Sequence, residues 1–276
     1  MDIKKIAILG SGSMGTAILS GLLKAGFDAA NVAVSTKSVT SADKLVQLYG
    51  VTAYPTEVNP EANANAVIGA DVVLVAVKPL YVPEVLRAVS HNLADGALVI
   101  SVAAGVTTAT MEECVPASVS VIRSMPNTPA IVGRAVTGVA AGSRASAEQL
   151  TRAVSMFETV GRVVVLPEAQ IDELGTVSGS GPAYVFFLIE KLTQAAVEMG
   201  FDEATAQLLV QETFLGASEL LAASGKPPAE LRRQVTSPNG TTERAIAQLE
   251  TGHLEELFAR ATKAALARSK ELAAGK

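Results

Sequence analysis

An α/β fold followed by an all-α part is what three features of this 276-residue sequence predict. Short unbroken apolar runs alternate with amphipathic stretches as far as Pro167. Beyond Pro167 only helical periodicity remains. The first apolar run, Ile6–Leu9, passes through Gly10-Ser11-Gly12-Ser13-Met14-Gly15 into a stretch of helical spacing, Thr16–Ala25, which ends at Gly26. Strand, G-x-G-x-x-G and helix in that order make the dinucleotide fingerprint. Gly10 supplies the tight turn, Gly12 lets the backbone approach a pyrophosphate, and Gly15 lets the helix pack closely on the strand. The pyrophosphate lies on free amides of the helix N-terminus, where the dipole favours an anion. The expected architecture is an N-terminal Rossmann-type dinucleotide-binding domain over residues 1–167, then an all-α dimerisation and substrate-binding domain over residues 168–276.

Val32–Ser35 reads as the second strand. A Rossmann unit carries an Asp or Glu at the end of that strand for the ribose 2′-hydroxyl of NAD. Here Ser35, Thr36 and Lys37 fill the place. Two hydroxyls and an ammonium suit a 2′-phosphate, so NADPH is expected ahead of NADH. A helix over Ser41–Tyr49 closes at Gly50, and a short strand starts at Val51. Asp71–Val77, Ala97–Ala103 and Val119–Arg123 repeat the buried-strand pattern and run into Lys78-Pro79, Ala104-Gly105 and Met125-Pro-Asn-Thr-Pro129. In an open parallel sheet ligands bind beyond the carboxyl ends of the strands, so these turns form the cofactor-facing surface. Val136–Ala140, a helix near Ala147–Thr159 and Val163–Leu166 complete the domain.

Helices are then expected over Ser180–Met199, Glu203–Ala223, Pro228–Gln234, Thr241–Leu249 and Leu254–Ala274. The first carries Tyr184, Val185, Phe186, Phe187, Leu188, Ile189 and Leu192, apolar on more than one face, as in a helix buried on most sides. Obligate homodimerisation through these helices accounts for that face; a self-contained bundle is the alternative.

Composition narrows the partners. A net charge of −5 without a long basic block argues against nucleic acid. Cys114 is the only cysteine, which excludes an intrachain disulfide and suits a reducing compartment. Asp2–Lys5 leads straight into the first strand without a signal-peptide pattern, and runs such as Val72–Val77 are too short to span a bilayer. A cytoplasmic protein without a membrane partner is expected.

The side-chain inventory narrows the chemistry. The two histidines, His91 and His253, lie in no motif, and no Cys/His/Asp cluster suggests a metal. Reducing a ketone calls for a His or Lys to move the proton. Dehydrogenases of β-hydroxyacids with this fingerprint carry a lysine one turn beyond a glycine pair. Here Gly179 and Gly181 are followed at that spacing by Val185, and Lys191 beside Glu190 reads as a solvated pair. A C=N bond asks for less, because a cyclic imine can bind already protonated. The site then supplies placement, a hold on a carboxylate and a hydroxyl near nitrogen. Val235-Thr-Ser237-Pro238-Asn239-Gly240-Thr241-Thr242-Glu243 offers those groups between two helices. Hydroxyls at such a helix start either cap it or leave its amides to an anion, and this loop holds more of them than one cap requires.

Taken together, Gly10–Gly15, Ala76-Val-Lys-Pro79, Ser101-Val-Ala-Ala-Gly105, Arg123-Ser-Met-Pro-Asn-Thr-Pro129, Ser178-Gly-Ser-Gly-Pro-Ala183 and Val235–Thr242 resemble the pyrroline-5-carboxylate reductase family over essentially the whole chain. That family makes proline from its cyclic imine, 1-pyrroline-5-carboxylate, with NAD(P)H. The resemblance implies that Gly10–Gly15, Ser35–Lys37, Val77, Lys78, Pro79, Ala103, Ala104, Gly105 and Asn127 line the cofactor, with Asn63 near the adenosine. It implies that Ser237 and the amides of Gly240, Thr241 and Thr242 hold the substrate carboxylate, with the Thr242 hydroxyl near the imine nitrogen as the catalytic group. It further implies interlocked dimers that associate into a larger ring. One position departs from the family pattern: Asn239 stands where a first of two glycines is usual, and asparagine tolerates the left-handed backbone such a turn needs. A reductase of a related cyclic imine and a non-catalytic NADPH sensor are the rival readings.

Overall fold

The computed structural model describes residues 3–273; Asp2 and Ala274, at the two ends of the sequence reading, lie outside them. The strands are β1 Ile6–Leu9, β2 Val32–Thr36, β3 Thr52–Pro55, β4 Val72–Val75, β5 Leu98–Ser101, β6 Ser120–Met125, β7 Ala135–Ala141 and β8 Gly161–Val165. The helices between them are α1 Ser13–Lys24, α2 Val39–Tyr49, α3 Ala62–Val67, α4 Val82–Val89, α5 Thr108–Glu112 and α6 Ala147–Glu158. After β8 come α7 Ile171–Leu174, a π-helical turn Gly175–Gly179, α8 Gly181–Glu198, α9 Glu203–Ser224, α10 Pro228–Gln234, α11 Thr241–Glu250 and α12 Leu254–Ala273. Among the described residues every strand lies before Pro167.

The strands form one sheet in the order β3-β2-β1-β4-β5-β6-β7-β8. Its first six strands have the Rossmann order, with the switch point between β1 and β4. Both faces are covered, which explains the unbroken apolar runs. Ile6, Ile8, Val34, Leu74 and Ile100 pack with Ile18, Leu19 and Leu22 of α1 and Phe157 of α6 on one side. Ala7, Leu9, Val75, Val99 and Val121 pack with Val67 of α3, Leu86 and Val89 of α4 and Met111 of α5 on the other. Each large aliphatic side chain buried this way contributes about 1.5–3 kcal/mol relative to exposure.

The helix ends follow local chemistry. Ser38 caps α2 by accepting from the Ser41 amide, and Ser146 and Gln149 form a reciprocal capping box on α6. Thr205 donates to Asp202 at the start of α9, and these hydrogen bonds hold the Asp202 carboxyl below its ordinary value. Gly26, with φ +91°, follows the Ala25 C-cap of α1 as the left-handed terminator.

Two expectations need correction. The sheet is mixed, because β7 runs antiparallel to β6 while β8 is parallel to β7. Only residues 126–134 join β6 to β7, too few for a parallel crossover, which takes a dozen or more. By compactness the first unit runs through Ser180 and takes in the last part of α12, from Ala265 on. Ile171 and Leu174 of α7 account for the extension: they crowd Gly138 of β7, where an added Cβ would lie 2.8 Å from Leu174 Cδ1. Finally, α8 is not buried on most sides in the single chain: Phe186 is 66% exposed and Phe187 57%. The second unit, Gly181–Ala264, fully buries few apolar side chains, among them Ala196, Ala206 and Val210. An edge-to-face pair of Tyr184 and Phe258, 6.2 Å between centroids, adds to it.

Candidate active site

In the first unit the strand registers bring five carboxyl ends to one edge. Ser35 of β2 pairs with Leu9 of β1, Leu9 with Val75 of β4, Val75 with Ser101 of β5 and Ser101 with Arg123 of β6. The segments that follow, Thr36-Lys37, Gly10–Gly15, Val77–Pro79, Ala103–Gly105 and Met125–Asn127, therefore share that edge. Asn63 is half-buried in the first turn of α3, the helix that follows β3.

The three fingerprint glycines meet different demands. Gly10 has φ +90°, and a Cβ there would lie 2.9 Å from Val77 Cγ1. On Gly15 a Cβ would run into the Gly10 carbonyl. Around Gly12 nothing of the protein lies within 4 Å of an added Cβ. The first two glycines are needed by the fold, whereas the third keeps space that the fold itself does not use. No side chain caps α1, so its first-turn amides stay open. Beside this loop is a cavity of about 600 Å³, lined in part by Ser11, Gly12, Ser13, Ser41, Lys44 and Ile131. A cradle with an open N-terminus and a vacant Gly12 fits a dinucleotide.

At the end of β2 the structure revises the sequence reading. Ser35 is 2% exposed and Thr36 4%. Ser35 Oγ accepts from the Gly10 amide at 3.3 Å, and Thr36 Oγ1 donates to the Ser38 carbonyl at 2.9 Å. Both hydroxyls therefore brace the turn. Of the three residues only Lys37 is exposed, and no hydrogen bond or ion pair engages its side chain among the described residues. Asn127 is likewise a strut: its Nδ2 donates to the Ser178 carbonyl and its Oδ1 accepts from the Val136 amide, each at 2.9 Å. That ties β7 to the π-helical turn, whose Gly179 lies so near Met125 that a Cβ would sit 3.1 Å from Met125 Cε. Lys78, Pro79 and Ala104 stay exposed at the edge, and Gly105 turns with φ +74°.

Arg123 opens the Arg123–Pro129 motif, and nothing local in the sequence marks its role. The side chain is 3% exposed and holds two carboxylates, Asp172 Oδ1 at 2.6 Å from Nη2 and Glu168 Oε1 at 3.6 Å from Nη1. Thr108 donates to Glu168 through its amide at 2.7 Å and its hydroxyl at 2.6 Å, and Ser269 Oγ donates to Asp172 at 3.1 Å. One guanidinium thus links α5, the turn before α7, α7 itself and the end of α12. Its Nε is buried without a partner.

The second unit carries the hydroxyl loop. Asn239 adopts the left-handed backbone its position requires, with φ 58°. Gly240 is the N-cap of α11 and no side chain caps the helix. Capping is therefore not what the hydroxyls do: among the described residues those of Ser237, Thr241 and Thr242 have no partner. Glu243 reaches back to the Asn239 amide at 2.9 Å and closes the loop. The Gly240 amide, expected to hold a carboxylate, instead donates to the Ser237 carbonyl at 3.0 Å. Among the described residues the Thr241 and Thr242 amides have no acceptor. A carboxylate on them gains roughly 1–2 kcal/mol from the dipole beyond its hydrogen bonds.

Other reactive groups stay apart. Burial, opposed by the charge of Arg87, pushes the Cys114 thiol above its ordinary value, which disfavours the thiolate. Lys191 pairs with Glu190 Oε1 at 2.7 Å on the surface. Among the described residues no group of three His, Cys, Asp or Glu could hold a metal, and no helix is long and apolar enough to cross a membrane.

A Rossmann-order sheet with an open dinucleotide cradle, joined in one chain to an uncapped, hydroxyl-rich helix start, defines a nicotinamide-dependent oxidoreductase that acts on a small anionic substrate. Over 270 residues the sequence is 39% identical to a pyrroline-5-carboxylate reductase of Corynebacterium melassecola, covering 97% of this chain and 98% of the relative. The chain belongs to the pyrroline-5-carboxylate reductase family. Residues 168–272 match the family described as pyrroline-5-carboxylate reductase dimerisation, and residues 5–105 that described as NADP oxidoreductase coenzyme F420-dependent. Among solved structures, the pyrroline-5-carboxylate reductase of Coxiella burnetii is 37% identical with a TM-score of 0.90, covering 98% of both chains. The pyrroline carboxylate reductase of Plasmodium falciparum, solved with NADP bound, is 26% identical with a TM-score of 0.83, covering 99% of this chain and 98% of the other.

Proposed function

We propose that this chain reduces the C=N bond of 1-pyrroline-5-carboxylate to give proline, with NADPH as the reductant. The observation that carries the reading is the start of α11, where open amides and three unengaged hydroxyls stand together. NADPH, held at the edge formed by Gly10–Gly15, Val77–Pro79 and Ala103–Gly105, supplies the hydride that the imine carbon accepts. The Thr241 and Thr242 amides, with the Ser237 hydroxyl, hold the substrate carboxylate. Thr242 Oγ1 stands near the ring nitrogen and fixes which face of the ring is presented. The chain needs no strong acid for this, because the imine arrives protonated; neither His91 nor His253 has a task.

Two copies pair through the helical region 168–276, and such dimers associate into a larger ring. The exposed apolar side chains of α8 support the pairing, and so does the dimerisation family matched by residues 168–272. A free, buried Cys114 suits a cytoplasmic location.

Following NADPH absorbance after adding pyrroline-5-carboxylate tests the reaction. Oxidation with one proline formed per NADPH is expected. Oxidation only with the six-membered homologue would move the reading to a related cyclic imine, and binding without turnover would leave a sensor. Light scattering should give a mass of at least two chains of 28.3 kDa, whereas a single-chain mass at micromolar concentration would remove the dimer.

A further inference from the structure

The place where a Rossmann unit reads the ribose 2′ position holds no carboxylate in sequence, since β2 runs into Ser35-Thr36-Lys37. In space one arrives from the neighbouring strand. The exit of β3 is clamped onto the β2–α2 turn by three hydrogen bonds: the Thr56 amide to the Thr36 carbonyl at 2.8 Å, the Glu57 amide to the Lys37 carbonyl at 3.1 Å, and Thr56 Oγ1 to the same Lys37 carbonyl at 3.4 Å. This clamp sets Glu57 Oε1 2.6 Å from the Val39 amide, the first of α2. The carboxylate therefore occupies a backbone donor that a 2′-phosphate would otherwise use, at the helix end where negative charge is favoured.

We propose that Glu57 is a specificity-determining residue for the cofactor ribose, one that weakens discrimination in favour of NADPH and keeps NADH usable. The inference rests on the dinucleotide reading of the first unit and is independent of which imine is reduced. A carboxylate at this point accepts a hydrogen bond from a 2′-hydroxyl and repels a 2′-phosphate. Lys37 and Ser38, on the same turn, act in the opposite sense. Admitting the phosphate requires the Glu57 side chain to leave the Val39 amide, whereas a ribose hydroxyl is accommodated with that contact intact.

Glu57→Gln keeps an acceptor for the Val39 amide and removes only the charge. Direct titration of NADPH and NADH into the full-length wild-type and variant proteins, without substrate, reads the effect. The ratio Kd(NADH)/Kd(NADPH) should rise about tenfold in the variant, mostly through tighter NADPH, equivalent to about 1.4 kcal/mol. The ratio of kcat/KM values should follow it, with the melting temperature unchanged. An unchanged or lower ratio overturns the proposal. Should the wild-type protein bind neither cofactor, the dinucleotide reading falls and this proposal with it. Should it bind both without reducing pyrroline-5-carboxylate, only the substrate assignment fails, and the Kd ratio still decides the role of Glu57.

Discussion

Replacing Thr242 by Ala should lower turnover about 100-fold while leaving NADPH affinity within twofold of wild type. The size is that of removing one preorganised donor from a reacting centre. Thr242 is half-buried in the first turn of α11, and its hydroxyl makes no hydrogen bond among the described residues. Loss of the hydroxyl therefore orphans no partner, and the fold should be indifferent to it. The amides of Thr241 and Thr242 survive the substitution, so KM for the substrate should move much less than kcat. Thr242→Ser, which keeps the hydroxyl, should recover most of the turnover. Steady-state kinetics beside an NADPH titration separate the two effects, and an unaltered kcat in the Ala variant would remove Thr242 from the mechanism.

A second large effect is expected at Arg123, on stability. Arg123→Met removes the cation and leaves Asp172 and Glu168 facing one another with only hydroxyl and amide donors. Breaking a buried ion pair from one side costs about 3–5 kcal/mol, because a charge stays without compensation. Asp172 and Glu168 keep 22% and 29% of their side-chain surface, so the lower end of that range applies. A loss of about 3 kcal/mol lowers the melting temperature by roughly 6–12 °C in a domain of this size. Adding Asp172→Asn to the Met variant should restore part of it, since the stranded charge is then gone. A melting temperature unchanged in the single variant would show that the network carries no net stability.

The parts of this molecule legible in its sequence are those whose cause is local. Ile6–Leu9 reads as a buried strand because adjacent side chains enter opposite apolar layers. Gly10 and Gly15 read as a cradle because the turn itself forbids a Cβ. The left-handed Asn239 follows from backbone sterics alone. What was hidden depends on residues that meet only after folding. Whether β7 runs parallel or antiparallel is set by the length of the link from Met125 to Ala135, and that signal was present: nine residues do not make a crossover. Ser35 and Thr36 look like ligands in one dimension, yet their hydroxyls are consumed by Gly10 and Ser38. Glu57 lies 18 residues from Val39 and Arg123 lies 49 residues from Asp172, and no local pattern announces either pairing. Glu243 was the readable exception, a carboxylate in the first turn of a helix beginning after glycine, where reaching back to an upstream amide is common.

The return of α12 to the first unit has a consequence for how the chain is made. Asp172 and its partner Ser269 are 97 residues apart, and the segment from Ala265 on belongs with the sheet rather than with the helices that precede it. A ribosome that has released Ser180 has delivered all eight strands, so the sheet can assemble early. The unit nevertheless stays unfinished until Ser269 has been synthesised. Its final hydrogen bond closes a long loop, the slow kind of contact in folding. A nascent chain that has not yet reached Ser269 leaves Asp172 without that donor, so the nucleotide domain acquires its last partner from the far end of α12.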